Sequence, residues 1–403
     1  MPLTALSPLL ALLVLLAGGA SPAQTAPAQT APAQTSPAQG APAQAATSES
    51  FESAAHRAQA AREAAHDAEA VAAYQAALAL RPEWDEGLWY LGTLLYQSGR
   101  RAEADAVFER FLKVKPQAGP GWVLRGFCAF EDSDYKSAAT RLHRGLGLGL
   151  GGNTELESVA RLRLALSLIK TYDFELAIQP LTVVAGRTPE APEVVSAVGL
   201  ALLRMALVPS EIPAERQDLV RRTGRAGAYH LANRGSDAEQ AYAELVAAYP
   251  AEPWVNYLQG VFLLRTDSER GIAALKRELQ VSPTNVHACL DIAFELLKLQ
   301  RNEEAKGAAE RAVELAPTLF ATHAALGRAL VETGEVDRGI RELELAVGLA
   351  PESSEVHFVL ARAYARAGRD QDAARERAEF ARLEQARAAA GGTAPAGGGE
   401  VRP

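Results

Sequence analysis

Residues 286–317, VHACLDIAFELLKLQRNEEAKGAAERAVELAP, and residues 318–351, TLFATHAALGRALVETGEVDRGIRELELAVGLAP, lie back to back and each closes on a proline. Pro283, Pro317 and Pro351 follow one another at a spacing of thirty-four, and Pro82 and Pro116 stand the same distance apart. Each proline follows an apolar run whose spacing fits one face of a helix, and proline stops a helix where it cannot donate a backbone hydrogen bond. A gap of this length repeated along a chain is the mark of stacked helical hairpins rather than of one globular core.

The same pattern extends outward. From Asp85 to Pro116 it runs Leu88, Leu91-Gly92, Leu95, Gly99, Ala104, Phe108 and Pro116. From Val286 it runs Cys289, Ile292-Ala293, Leu296, Ala305, Ala312 and Pro317; from Phe320, His323, Leu326-Gly327, Leu330, Gly334, Leu343, Ala346 and Pro351. Leu360-Ala361, Tyr364, Gly368 and Ala373 begin a last unit, and Ala70, Tyr74, Ala77 and Pro82 end a first one. Glycine or alanine at the eighth position sits where two helices touch, and glycine near the fifteenth ends the first helix in a left-handed conformation. These residues resemble the tetratricopeptide repeat family. The resemblance implies an all-α, right-handed superhelical solenoid of antiparallel helix pairs, about nine or ten pairs over residues 51–385.

The repeats are uneven. The unit from Gly119 closes on a glycine-rich run, and the one from Val159 keeps Leu164-Ala165, Leu168, Ala177 and Leu181. A unit near Pro192 keeps Val195, Val198-Gly199 and Leu202. Its second helix is expected to give way to the loop Val208–Pro213 and a long segment from Ala214 to Asn233. The expected divisions are therefore an N-terminal array over 51–191, an irregular stretch with an insertion over 192–250, and a C-terminal array with a charged capping helix over 251–388. A Gly/Ala/Pro-rich tail at 389–403 is expected to be disordered.

Upstream, residues 5–17 (ALSPLLALLVLLA) are apolar and are followed by small residues, the shape of a secretory signal over 1–23 that is too short to span a bilayer. No Lys or Arg precedes the run. Residues 24–50 form a Pro/Ala/Gln linker built on a five-residue repeat, extended and solvated by composition. Export to a periplasmic or extracellular site is the expectation, and Arg in excess over Lys with abundant Ala and Gly fits a bacterium of high-GC genome. The chain is 48% hydrophobic but only 6% aromatic, so its core is mainly Ala, Leu and Val, which favour helices. Its net charge of −8, with both signs interspersed, offers no basic stripe for nucleic acid. Two distant cysteines, Cys128 and Cys289, exclude a disulfide framework and read as small buried hydrophobes.

Little in the sequence points to catalysis. Gly147–Gly152 spells GxGxxG, but a dinucleotide site needs that loop between a strand and a helix, and here a repeat helix precedes it. His323 and His357 fall at equivalent positions with His287 nearby, so a line of imidazoles is conceivable, yet no carboxylate or Cys cluster accompanies it and packing is the simpler role. No enzyme, cofactor or metal site is expected. In the family resembled, the first helix of each pair lines a concave groove. The resemblance places Trp89, Tyr90, Thr93, Phe127, Phe130, Trp254, Tyr257, His287, Leu290 and Phe294 along it, with Arg328, Arg362 and Arg366 at the C-terminal end. The family's clamp for C-terminal carboxylates needs Lys and Asn where this chain has Trp89 and Thr93 or Phe127, so it is absent. The expected function is an exported scaffold binding a protein or peptide, an apolar segment with acidic groups towards the Arg end. A structural assembly factor of the cell envelope and a docking or regulatory subunit of a separate enzyme are the alternatives.

Overall fold

The computed structural model describes residues 49–389; the expectations for the export signal, most of the linker and the tail fall on 1–48 and 390–403, outside the described residues. Among the described residues there are nineteen α-helices and no strand. They fall into two compact units.

The first unit comprises residues up to Thr188 together with Ala206–Glu211. Its helices are α1 (Phe51–Glu63), α2 (Asp67–Leu80), α3 (Asp85–Gln97), α4 (Arg101–Val114), α5 (Gly119–Glu131), α6 (Tyr135–Leu148), α7 (Thr154–Lys170) and α8 (Phe174–Arg187). Each first helix packs on its own second helix, and that one packs on the next first helix. The core is continuous, with Tyr74, Leu88, Phe108, Leu124 and Leu142 fully buried. The eighth position behaves as the pattern requires: a Cβ on Gly92 would stand 2.6 Å from the Phe108 ring, and one on Gly126 2.6 Å from Leu142.

The second unit comprises Pro189–Met205 and the residues from Ile212. Its helices are α9 (Pro192–Leu202), α10 (Gln217–Leu231), α11 (Gly235–Ala248), α12 (Val255–Leu263), α13 (Ser268–Val281), α14 (Val286–Lys298), α15 (Asn302–Leu315), α16 (Phe320–Glu332), α17 (Val336–Leu349), α18 (Ser354–Arg366) and α19 (Asp370–Ala389). The irregular stretch is shorter than the expected Val208–Asn233: between α9 and α10 only 203–216 lack an α-helix, carrying two 3-10 turns at Pro209–Glu211 and Ala214–Arg216, and α10 is regular. α9 thus has no second helix, and α10 packs directly on it. Three glycines allow this. A Cβ on Gly224 would overlap the Val195 carbonyl oxygen, one on Gly199 the Val220 carbonyl oxygen, and one on Gly227 the Leu202 side chain.

Two local devices recur in both units. At the hairpin turns one residue takes positive φ: Gly99, Gly334 and Gly368 do so without strain, and Ala65, Ser133, Tyr172, Asn233 and Gln300 do so despite a Cβ. The next backbone N–H then closes the helix, as in Asp134 N–H to Ala129 O (2.8 Å) and Glu335 N–H to Leu330 O (2.8 Å). The second device ties the closing proline. Its carbonyl accepts a hydrogen bond from the side chain six residues on: Trp122 Nε1–H to Pro116 (3.0 Å), Asn256 Nδ2–H to Pro250 (2.9 Å), His323 Nε2–H to Pro317 (2.8 Å) and His357 Nε2–H to Pro351 (3.0 Å). Each tie gives a partner to a carbonyl that lies past the end of its helix.

α12 starts differently. Its N-cap, Trp254, has φ of 73°, and its N–H donates to Glu278 Oε1 (2.8 Å) from α13. Glu278 is wholly buried and also accepts from Tyr257 N–H (3.3 Å) and Asn285 Nδ2–H (3.3 Å). One carboxylate so replaces the capping side chain that this helix lacks.

Candidate functional site

In the first unit the residues assigned to a groove are mostly core. Trp89 is half-buried against Phe111 (5.4 Å between centroids) and Phe108 (6.0 Å) of α4. Tyr90 is 7% exposed, with the Arg62 guanidinium 4.0 Å over its ring, and Thr93 is 6% exposed with its hydroxyl donating to the Tyr90 carbonyl (2.9 Å). Phe127 is 3% exposed. Arg163 of α7 lies over it at 4.2 Å and over half-buried Phe130 at 5.5 Å, donates to the Tyr96 hydroxyl (3.0 Å) and pairs with Glu131 (2.8 Å). Tyr90, Thr93 and Phe127 therefore do not line an open strip. A cation from the neighbouring first helix covers the ring faces and is held there by its own acid. Arg163 precedes the Leu164-Ala165 pair, and its place on the first-helix face was legible from that offset.

In the second unit more of the strip is reachable. Half-buried Trp254 meets Tyr257 edge-on (5.3 Å) and His287 (5.7 Å), with the Arg204 guanidinium 5.3 Å over its ring. Leu290 is core, and Phe294 is half-buried beside it. Phe294, Arg328 and Arg362 occupy the same place in consecutive repeats, thirty-four residues apart, on α14, α16 and α18. These first helices are direct neighbours. Between α16 and α18 lies an open hollow of about 60 Å³ lined by Arg328, Val331, Glu332, Val359, Arg362, Ala363 and Arg366. Arg366 pairs with Glu332 (2.9 Å), and the Arg362 guanidinium lies 6.0 Å from the Phe358 ring. Neither Arg328 nor Arg362 makes an ion pair with a described residue.

The histidines do not form a line of open imidazoles. His323 and His357 are buried, and each directs Nδ1 at a carboxylate on its own hairpin's second helix, Glu342 (2.7 Å) and Glu376 (2.7 Å). Since Nε2–H donates to a proline carbonyl, a proton must lie between Nδ1 and the carboxylate for that contact to be a hydrogen bond. His287 belongs to the Trp254 cluster. Among the described residues no group of three or more His, Cys, Asp or Glu is placed to hold a metal ion. We expect His323→Leu to lower stability by about 1–2 kcal/mol, because it strands both Glu342 and the Pro317 carbonyl. His323→Asn keeps the carbonyl tie as Asn256 does and should recover part of that loss; equal urea midpoints for the two variants would contradict the tie.

The GxGxxG run is a helix-to-helix connection. It spans the end of α6 and the turn before α7, with positive φ at Gly149, Gly151 and Gly152. Cys128 and Cys289 are free and buried, and burial pushes the Cys128 thiol up to about 12, which keeps it a neutral packing group.

Two family profiles match the chain, both described as tetratricopeptide repeat: one over 90–146 and 324–390, the other over 286–319. No curated protein matches. Among solved structures, a MamA double mutant from strain RS-1 is 21% identical, covering 42% of this chain and 97% of its own at a TM-score of 0.40. MamA from residue 41 onward of Desulfovibrio magneticus RS-1 is 21% identical over 42% of this chain and 96% of its own, with a TM-score of 0.39. MamA of AMB-1 is 24% identical over 41% and 98%, with a TM-score of 0.37. At these scores the likenesses carry no argument about function.

Proposed function

Because the chain carries tetratricopeptide repeats over 90–146, 286–319 and 324–390, we propose that it is a non-catalytic scaffold that holds a segment of a partner protein along the first helices of its second unit. The observation that carries this reading is the line Phe294, Arg328 and Arg362, one residue from each of three adjacent first helices, left accessible where the equivalent Phe127 of the first unit is covered. Aromatic and arginine side chains are the types that dominate binding energy. The reading includes export, supported by the apolar run at 5–17, the small residues after it and the proline-rich spacer. No described helix is long and apolar enough to cross a membrane.

Photocrosslinking from two positions tests the face. Phe358 on α18 is 45% exposed one turn from Arg362, and Leu345 on second helix α17 is 53% exposed. A photoreactive residue at Phe358 should capture a partner in host extract and one at Leu345 should not. Capture from Leu345 alone, or of a second copy of this chain, would replace the groove with an outer assembly face.

A further inference from the structure

The hollow between α16 and α18 assigns a ligand chemistry to the groove, an inference that rests on the scaffold reading above. Three guanidinium groups, Arg328, Arg362 and Arg366, face one carboxylate, Glu332, which is already paired with Arg366. The remaining two arginines have no acid among the described residues, although most of this surface is arranged otherwise. Arg301 is shared by Glu269 and Glu304, Arg234 by Glu190 and Asp237, and Arg369 pairs with Asp372. Arg328 is half-buried and Arg362 is exposed.

The floor is apolar, formed by Val331, Val359 and Ala363. The hollow, of about 60 Å³, is open to solvent and has room for a small acidic group between the two arginines. Two guanidinium forks over an aliphatic floor match a carboxylate whose neighbouring side chain is aliphatic. We propose that this hollow binds a side-chain carboxylate of an acidic partner segment, an Asp or Glu next to Leu, Val or Ile, with Arg328 and Arg362 as its two donors. Both arginines sit at the same repeat position, so a ligand lying along the strip meets them in succession, with Phe294 taking the next apolar side chain. Arg328 and Arg362 stand at the repeat position that Thr93 and Phe127 hold in the first unit. They are arginines beside an aliphatic floor and not the Lys and Asn of the clamp, and the group assigned to them is an internal acid rather than a chain end.

The test uses the full chain and short labelled peptides. One peptide alternates Leu and Glu and is amidated; a second has Gln for every Glu; a third is the Gln peptide with a free C-terminal carboxylate. The Leu-Glu peptide should bind about tenfold more tightly than the other two, weakening with salt. Arg328→Gln with Arg362→Gln should remove that advantage, and Arg328→Glu with Arg362→Glu should transfer it to a Leu-Lys peptide, a gain that a misfolded variant cannot produce. Equal binding of the Glu and Gln peptides would overturn the hollow while leaving the scaffold reading in place; no binding of any peptide would overturn both. Preference for the free C-terminus, or retention of an oligonucleotide in place of the acidic peptide, would also overturn the proposal.

Discussion

Gly224→Ala should lower the stability of the second unit by about 3 kcal/mol, the largest loss expected from one methyl group in this chain. The new Cβ would overlap the carbonyl oxygen of Val195, and its next neighbours are the Val195 carbonyl carbon and the Gly199 nitrogen. All three are backbone atoms, so no rotamer change relieves the clash and α9 must move bodily off α10. Gly307→Ala is the control of opposite sign. Gly307 lies inside α15 on an exposed face, where an added methyl group would meet nothing within 4 Å. There the substitution should stabilise by about 1 kcal/mol through helix propensity alone. Urea denaturation followed by helical circular dichroism reads both. A neutral Gly224→Ala would mean that α9 and α10 do not touch backbone to backbone.

Glu278→Ala is expected to cost about 3 kcal/mol. It strands two backbone N–H groups, of Trp254 and Tyr257, and the Asn285 amide, at a site the solvent does not reach. Glu278→Gln keeps one carbonyl acceptor but turns an N–H pair towards the remaining donors, and its loss should fall between wild type and alanine. In a repeat array the damage stays local. Amide hydrogen exchange over 254–263 should therefore speed up in Glu278→Ala while the amides of α3 and α4 exchange at the wild-type rate. Unchanged exchange at Trp254 and Tyr257 would show that the carboxylate does not cap α12.

The hairpins are legible because their determinants are local. Pro116, Pro317 and Pro351 mark ends, Gly99 and Gly334 mark turns, and Gly92 and Gly327 mark contacts, each by a property of one residue type. The irregular middle reads as longer than it is for the same reason. Gly224 and Gly227 look like helix breakers in isolation, and only the absence of a second helix after α9 explains why glycine belongs inside α10. Groove positions are the least legible. Register gives the helix face of Phe127 and Arg328 alike, but whether that face is open depends on a side chain from another repeat. Arg163 covers Phe127, whereas Val359 and Ala363 of the next repeat line the hollow beside Arg328 and leave it open.

The ties to the closing prolines also make the array self-reporting. Trp122, Asn256, His323 and His357 bring an indole, a carboxamide and two imidazoles to four separate seams. Indole, carboxamide and imidazole nitrogen-bound protons resonate in three distinct regions of a proton–nitrogen spectrum, with His323 and His357 as separate signals of one region. Fraying of each seam can therefore be followed by its own native signal, without an added label.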